Sequence, residues 1–272
     1  MKNMKKILLS IVSLLLVAFL AACGGKDTGG ALSEDKLVIG VTAGPHEQVM
    51  EKVKEVAAKD GLEIDIKVFT EYVMPNTALA EGELDVNSFQ TKPFLDNVVK
   101  ERNYDLVDIA PTLTFPMGIY SEKFASVDEL EEGAKLGLPN DPTNGGRALI
   151  LFQSAGLITL KDGVGDQATV KDIVDNPKNF EFIELEASQL PRQLDELAGA
   201  AINTNFAIEH GYVPTEDSIF IEGSDSPWVN LLVVRGENKE DPVLEKLLKA
   251  YHSDEVKQFI EETFSGSVIP SW

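Results

Sequence analysis

Short apolar runs alternate with amphipathic segments through the first half of the chain, and this alternation restricts the fold more than any other feature. Residues 36–42 form a nearly continuous apolar run, typical of a buried strand. Residues 45–59 then place apolar side chains at helical spacing, and residues 62–69 alternate apolar and polar side chains as a strand does. Strands that alternate with helices predict a mostly parallel sheet with helices on its faces.

The same rhythm restarts after an extended segment at residues 111–116. Ser126 and Glu129 then form a capping-box pattern, which predicts a short helix. The patterns predict further strands at residues 84–86, 106–109, 134–138, 180–185, 200–202, 218–221 and 228–234, and further helices at 75–80, 92–103, 144–155, 189–197, 242–250 and 254–264. We infer an α/β protein with two lobes.

A two-lobed protein that closes on a ligand needs its lobes to be joined by hinge segments. The crossover at residues 111–118 is one connection, and a second is expected near residues 222–228 if the C-terminal third returns to the first lobe. We therefore expect lobe I to comprise residues 32–115 and 225–272, and lobe II to comprise residues 116–224. The ligand cleft would lie between them.

The N-terminal residues have the pattern of a bacterial lipoprotein signal. Three lysines within the first six residues precede an apolar run at 7–22, which ends in small residues directly before Cys23. An ordinary buried cysteine or a membrane-spanning anchor is the alternative, but the run is shorter than the roughly 20 residues that a spanning helix needs. We predict a signal peptide at residues 1–22, acylation of Cys23, and a flexible tether at residues 23–31. The folded part would then lie outside the cytoplasm, anchored to the membrane by lipid.

The charge of the chain excludes one class of partner. The formal net charge is −21, and removal of residues 1–22 takes away three lysines and no acidic residue, which brings it to −24. Because a surface this acidic repels the phosphate backbone of nucleic acids, we expect no nucleic-acid partner. The single cysteine excludes an internal disulfide and any CxxC motif.

Motifs typical of enzymes are largely missing from the sequence. The chain contains no P-loop, no GxSxG and no HExxH motif. The loose match to a dinucleotide-binding pattern at residues 163–168 is better explained as a turn. The histidines, His46, His210 and His252, lie far apart, and we expect them to be surface or half-buried residues and not metal ligands. We therefore predict no catalytic activity, no metal and no cofactor.

The segment at residues 138–150 predicts a strand, a turn and the start of a helix. The first turn of a helix presents free N–H groups that can bind an anion. Gly145 and Gly146 would let a ligand approach the backbone closely, and the planar fork of Arg147 could hold a carboxylate at two points. An Arg147 that reaches solvent beside acidic side chains explains the sequence equally well.

Two further clusters could line a pocket. Phe89 and Phe94, together with Tyr72, fall near predicted strand ends, where they could form an apolar wall or simply belong to the core. Asn203 and Asn205 follow another strand, where their amides could hydrogen-bond a polar ligand or cap a helix.

Several motifs resemble those of one family, the MetQ/NlpA substrate-binding lipoproteins of methionine ABC importers. They span nearly all of the mature chain: Tyr72-Val-Met-Pro-Asn-Thr-Ala-Leu-Ala-Glu-Gly-Glu-Leu-Asp-Val-Asn87, Phe89-Gln90, Pro139-Asn-Asp-Pro-Thr-Asn-Gly-Gly-Arg-Ala-Leu149, Ala201-Ile-Asn-Thr-Asn-Phe-Ala207 and Val229-Asn-Leu-Leu-Val-Val-Arg235. The resemblance implies a two-lobed periplasmic-binding-protein fold, type II-like, which closes on one amino acid.

The resemblance also implies roles for individual residues. Arg147 would bind the α-carboxylate of the ligand, and Asn205 and Asn230 would hydrogen-bond its carboxylate and amino ends. The thioether would pack among the aromatic side chains of Tyr72, Phe89 and Phe94. The expected ligand-binding set also includes Thr91 and Asn144. The expected ligand is L-methionine, and the expected partners of a monomeric protein are a transmembrane permease and its ATPase.

Three positions depart from the usual family pattern and leave the ligand open. Thr91 stands where histidine is frequent, Phe94 where tyrosine is common, and Met74 where glutamine is frequent. Each difference alters a polar group at the expected pocket wall, which can change discrimination between ligands. Another apolar amino acid, D-methionine or a short methionine-containing peptide is an alternative ligand. An extracytoplasmic enzyme or an adhesin is an alternative of a different class.

Overall fold

The computed structural model describes residues 30–272. The predicted signal peptide at 1–22, the acylation site Cys23 and the tether up to residue 29 lie outside the described residues. Within residues 30–272, no helix is long and apolar enough to span a membrane.

Strands and short helices alternate along the described chain. The strands are β1 (Lys36–Thr42), β2 (Glu63–Phe69), β3 (Val86–Thr91), β4 (Leu106–Thr114), β5 (Gly118–Tyr120), β6 (Lys135–Pro139), β7 (Thr159–Leu160), β8 (Ile173–Asp175), β9 (Glu181–Leu185), β10 (Gly199–Ile202), β11 (Ser218–Ile221), β12 (Val229–Arg235) and β13 (Ile269–Pro270). The α-helices are α1 (Pro45–Lys59), α2 (Met74–Ala80), α3 (Lys92–Arg102), α4 (Pro142–Ser154), α5 (Thr204–Glu209), α6 (Pro214–Asp217), α7 (Val243–Tyr251) and α8 (Asp254–Phe264).

The first sheet combines strands from the beginning and the end of the described chain. Its strand order is β13-β4-β12-β3-β1-β2. Strands β2, β1 and β3 run parallel, whereas β12 is antiparallel to both β3 and β4, and β13 is antiparallel to β4. The expectation of a mostly parallel sheet is therefore wrong for this sheet: only two of its five neighbouring strand pairs are parallel, because β12 lies between β3 and β4 and runs in the opposite direction.

The second sheet is built from the middle of the chain, in the order β11-β5-β10-β6-β9. Strand β6 runs parallel to β9 and β10, while β5 is antiparallel to β10 and β11. Each sheet has its own apolar core. In the first, Ile39 and Val41 pack with Val49 and Val53 of α1, and in the second, Leu138 packs with side chains of α4.

Two connections join the sheets, and they are hydrogen-bonded to each other. Residues 115–117 link β4 to β5, and residues 222–228 link β11 to β12. The backbone N–H of Glu222 donates to the carbonyl of Met117 at 3.0 Å, and the N–H of Met117 donates to Oε2 of Glu222 at 3.0 Å. The two connections are therefore coupled, and a rotation of one sheet relative to the other has to change both of them.

Some elements differ from the sequence prediction. Strand β3 covers residues 86–91 and not 84–86, because the polar side chains of Asn87 and Gln90 find hydrogen-bond partners inside the protein. The predicted capping box does not form: Ser126 precedes a 3₁₀ turn and its side chain caps nothing. The helix predicted at residues 189–197 is a 3₁₀-helix at residues 187–196, and it contains Pro191, which cannot donate a backbone hydrogen bond.

Candidate functional site

A cavity lies between elements of the two sheets. Its lining consists of polar and aromatic side chains: His46, Tyr72, Phe89, Gln90, Thr91, Phe94, Phe115, Asn144, Arg147, Asn203, Thr204, Asn205 and Asn230.

The structure brings the residues of the predicted ligand-binding set to this one cavity, although they come from five distant segments. All eight line it: Tyr72, Phe89, Thr91, Phe94, Asn144, Arg147, Asn205 and Asn230. The expectation that Met74 lies at the pocket wall is wrong. Met74 begins α2 and is 49% exposed, because this helix buries the face that carries Pro75, Asn76 and Leu79.

Aromatic rings form one wall of the cavity. Tyr72 has its ring centroid 5.9 Å from that of Phe89 and 6.0 Å from that of Phe94, and Phe89 and Phe94 meet edge to face. The ring centroid of Phe206 lies 4.9 Å from that of Tyr72. Burial raises the pKa of Tyr72, so its hydroxyl is neutral. It donates a 2.6 Å hydrogen bond to Oδ1 of Asn205.

A closed network of amides lies beside this wall. Asn76 and Gln90 exchange two hydrogen bonds of 2.7 Å, and Asn87 donates to Oδ1 of Asn76 at 2.8 Å. All three side chains are buried. The network joins α2 to β3, and so fixes the segment that carries Tyr72 relative to the strand that carries Phe89.

Arg147 lies at the polar side of the cavity and is almost completely buried. Its Nε donates to Oε1 of Glu222 at 2.8 Å, and its Nη2 donates to Oε2 of Glu222 at 2.6 Å and to the carbonyl of Phe115 at 2.8 Å. The ring of Trp228 lies 5.2 Å from the guanidinium carbon. Glu222 therefore already makes the two-point contact that was expected for a ligand carboxylate. Of the three guanidinium nitrogens, Nη1 is the one without a partner among the described residues.

The start of α4 does not present the free anion site that the sequence suggested. Asp141 caps the helix, and its carboxylate accepts from the backbone N–H of Asn144 at 2.9 Å. The two glycines serve the protein's own packing: a Cβ on Gly145 would lie 2.8 Å from the carbonyl oxygen of Pro139, and one on Gly146 would lie 2.1 Å from that of Asp166. The N–H of Asn144 and the space beside both glycines are thus used by the chain itself.

His46 is a lining residue that the sequence reasoning missed. It was expected to be surface or half-buried, but it is 3% exposed. Its Nδ1 lies 2.9 Å from Oγ1 of Thr42, its Nε2 lies 3.3 Å from Oδ1 of Asn230, and its ring packs on Phe115 at 4.4 Å. Burial lowers the pKa of His46 to about 4, against the opposing hydrogen bond to Asn230, so the ring is neutral at pH 7. The position of His46 in the first turn of α1, directly after β1, was the available sequence signal.

Three further lining residues lie within or beside the predicted motifs and connections. Phe115 belongs to the first connection, Gln90 follows Phe89, and Thr204 lies between the two predicted asparagines. Asn203 precedes α5, yet its side chain makes no capping hydrogen bond, so the alternative of a plain helix cap is wrong for this residue.

A family model described as NlpA lipoprotein matches residues 37–272. The chain belongs to the NlpA lipoprotein family. It is 45% identical over 256 residues to the D-methionine-binding lipoprotein MetQ of Salmonella typhimurium, and the match covers 93% of each protein.

Two solved structures are similar to this NlpA-family chain. A nutrient-binding protein from Burkholderia cenocepacia bound to methionine is 47% identical with a TM-score of 0.85, and the match covers 87% of this chain and 100% of that one. The methionine-binding protein MetQ is 46% identical with a TM-score of 0.86, covering 88% and 99%. These similarities confirm the two-lobed α/β fold and the prediction that the protein is an extracytoplasmic, lipid-anchored lipoprotein.

Proposed function

We propose that this protein captures methionine outside the cytoplasm and delivers it to an ABC importer. The observation that carries the proposal is the division of the cavity into an aromatic wall and a polar side that contains Arg147. A free amino acid with an apolar side chain has the same division. The named relatives support the choice of methionine, since one solved relative holds that ligand.

The polar side offers donors suited to a carboxylate. Nη1 of Arg147 has no partner among the described residues, and neither has the buried Nδ2 of Asn205, because Tyr72 occupies its Oδ1. The amide of Asn230 is oriented in the same way: its Oδ1 can only accept, so Nε2 of His46 donates to it and Nδ2 of Asn230 stays available. We assign these three groups to the ligand carboxylate.

The aromatic wall suits a thioether. Sulfur makes favourable contacts with ring edges, and the rings of Phe89 and Phe94 meet edge to face beside Tyr72. Phe94 supplies no hydroxyl and that of Tyr72 is bonded to Asn205, so this wall favours an apolar ligand side chain over a polar one.

Capture would proceed by closure of two lobes, which we assign to residues 32–115 with 225–272 and to residues 116–224. Ligand contacts made by both lobes stabilise the closed form over the open form. The expected partners are a permease and its ATPase, which read the closed form, and the binding protein would act as a monomer. The chain would bind and release its ligand without catalysing a reaction.

The test is thermal unfolding of residues 24–272 after unfolding and refolding to remove any copurified ligand. L-methionine at 100 times its dissociation constant should stabilise the protein by about 2.7 kcal/mol, which is a midpoint rise of roughly 5–10 °C. A rise with L-methionine and none with glutamine or lysine is the expected result. D-methionine, leucine and a glycyl-methionine peptide belong in the same panel, and a rise for one of these without a rise for L-methionine would transfer the proposal to that ligand.

A further inference from the structure

One carboxylate outside the cavity lining holds both Arg147 and the two connections between the sheets. Oε1 of Glu222 accepts from Nε of Arg147 at 2.8 Å. Its Oε2 accepts three further hydrogen bonds: from Nη2 of Arg147 at 2.6 Å, from the backbone N–H of Met117 at 3.0 Å and from Oγ of Ser226 at 2.9 Å. These donors belong to α4, to the first connection and to the second connection. Four hydrogen bonds from three segments therefore fix the position of this carboxylate.

The carboxylate of Glu222 in turn fixes the guanidinium of Arg147. A two-point contact through Nε and Nη2 sets both the plane of the guanidinium and its rotation, and Nη2 is also held by the carbonyl of Phe115 at 2.8 Å. The ring of Trp228 lies over the guanidinium, 5.2 Å from its carbon. Since Arg147 lines the cavity, Nη1 is left as the nitrogen that can bind a carboxylate there, in one fixed orientation.

The charge of Glu222 by itself opposes the binding of a carboxylate. A negative group beside Arg147 cancels much of the positive charge that would attract the carboxylate of an amino acid. A buried ion pair also has a desolvation cost that can exceed its Coulombic gain. An arginine without this partner would attract an anion more strongly, but its guanidinium would be free to turn. What Glu222 adds to the site is therefore orientation and not attraction.

We propose that Glu222 is a positioning residue, which holds Arg147 in the orientation that binds the ligand carboxylate and links this orientation to both connections between the sheets. The inference rests on the proposed function and deepens it. An arginine that is already held loses little conformational freedom when the ligand binds, so more of the hydrogen-bond energy appears as affinity. Because the same carboxylate also holds Met117 and Ser226, a shift of either connection moves the guanidinium.

The first test is the sign of the change in L-methionine affinity in Glu222→Gln, measured by isothermal titration calorimetry on the stripped protein. Glutamine removes the counter-charge of Arg147 and offers one acceptor oxygen in place of two. If Glu222 mattered only through its charge, its removal would make methionine bind more tightly. We expect binding to weaken by about 10-fold, near the upper limit of the cost of ordering one flexible side chain.

A double-mutant cycle shows whether Glu222 acts through Arg147. In the Arg147→Met background there is no guanidinium to orient, and the carboxylate of Glu222 only repels that of the ligand. Glu222→Gln should therefore not weaken methionine binding in this background. A general loss of structure would weaken binding in both backgrounds, so the cycle separates positioning from stability.

Ser226→Ala is a milder variant that keeps the charge of Glu222. It removes one of the four hydrogen bonds to the carboxylate, and methionine binding should weaken by about threefold, the lower end of the value of one hydrogen bond. Ser224→Ala is the matched control, because Ser224 lies in the same connection but is exposed. This control should not change the affinity.

Three results would overturn the inference: unchanged or tighter methionine binding in Glu222→Gln, an equal loss from this substitution in the Arg147→Met background, or equal affinities of Ser226→Ala and Ser224→Ala. The last comparison removes only single hydroxyl groups, so it decides the matter even if Glu222→Gln fails to fold. Failure of the proposed function itself looks different, because the unmodified chain would then not bind methionine.

Discussion

Arg147 and Glu222 form a two-point ion pair inside the protein, with side chains that are 4% and 13% exposed. Arg147 belongs to α4 and Glu222 begins the second connection between the sheets. Because Nη2 of Arg147 also reaches the carbonyl of Phe115 in the first connection, one guanidinium fastens both connections to the same helix. Ligand binding at Nη1 would therefore act on the segment through which the two sheets are joined.

We expect Glu222→Gln to lower the free energy of unfolding by about 3 kcal/mol, because it leaves the buried guanidinium without its counter-charge. Urea denaturation of the unliganded protein measures the change. The matched control is Glu63→Gln, which breaks an exposed pair with Lys36 and should have no measurable effect. Equal changes in the two variants would mean that the Arg147–Glu222 pair is no more important than a surface pair.

Arg147→Met should weaken methionine binding by about 100-fold, since removal of a buried charge from a hydrogen-bonded pair costs roughly 2–5 kcal/mol. Arg147→Lys keeps the charge but cannot reach Glu222, Phe115 and the ligand together, so its loss should be intermediate. Calorimetry on variants that are first shown to be folded measures both. Arg192→Met, on the exposed surface, is the control, and unchanged affinity in Arg147→Met would exclude contact with the carboxylate.

Tyr72→Phe removes the hydroxyl that holds Oδ1 of Asn205. The amide of Asn205 is then free to rotate, and we expect methionine affinity to fall by about 3- to 10-fold, the value of one neutral hydrogen bond. Tyr104→Phe is a matched control, since its hydroxyl contacts Thr77 and Tyr104 does not line the cavity. The assigned orientation of Asn205 is wrong if the two variants bind methionine equally well.

The stability of the protein should depend on pH through His46. The unfolded chain binds a proton at this residue below about pH 6.5, whereas burial lowers the pKa of folded His46 to about 4. The unfolded state therefore holds more protons between these values, and the free energy of unfolding falls as the pH decreases through this window, by at most about 3 kcal/mol.

Chemical denaturation at pH 7, 5.5 and 4.5 measures this effect, with His46→Gln as the comparison. The difference in stability between the two proteins should change with pH, because all other titrating groups are common to both. Parallel profiles would show that His46 is already charged in the folded state or that it is accessible to solvent.

The eight residues predicted from the sequence motifs all line one cavity, but the motifs did not show which partners their side-chain atoms have. Arg147 was recognised from its place after two glycines, yet its fork holds Glu222, which is 75 positions away in sequence. Gly145 and Gly146 were interpreted as room for a ligand, whereas the backbone carbonyls of Pro139 and Asp166 fill that space. Each error concerns a partner from another part of the chain, which residue type and spacing do not reveal.

The sequence by itself determined the features that depend on neighbouring residues. Apolar periodicity predicted most of the strands and helices, and the apolar run before Cys23 predicted the lipoprotein signal. Only the tertiary structure decided that β12 returns antiparallel between β3 and β4, that His46 is buried, and that Glu222 binds the guanidinium of Arg147. The reason is physical: burial and hydrogen-bond direction are set by groups that meet only after the chain has folded.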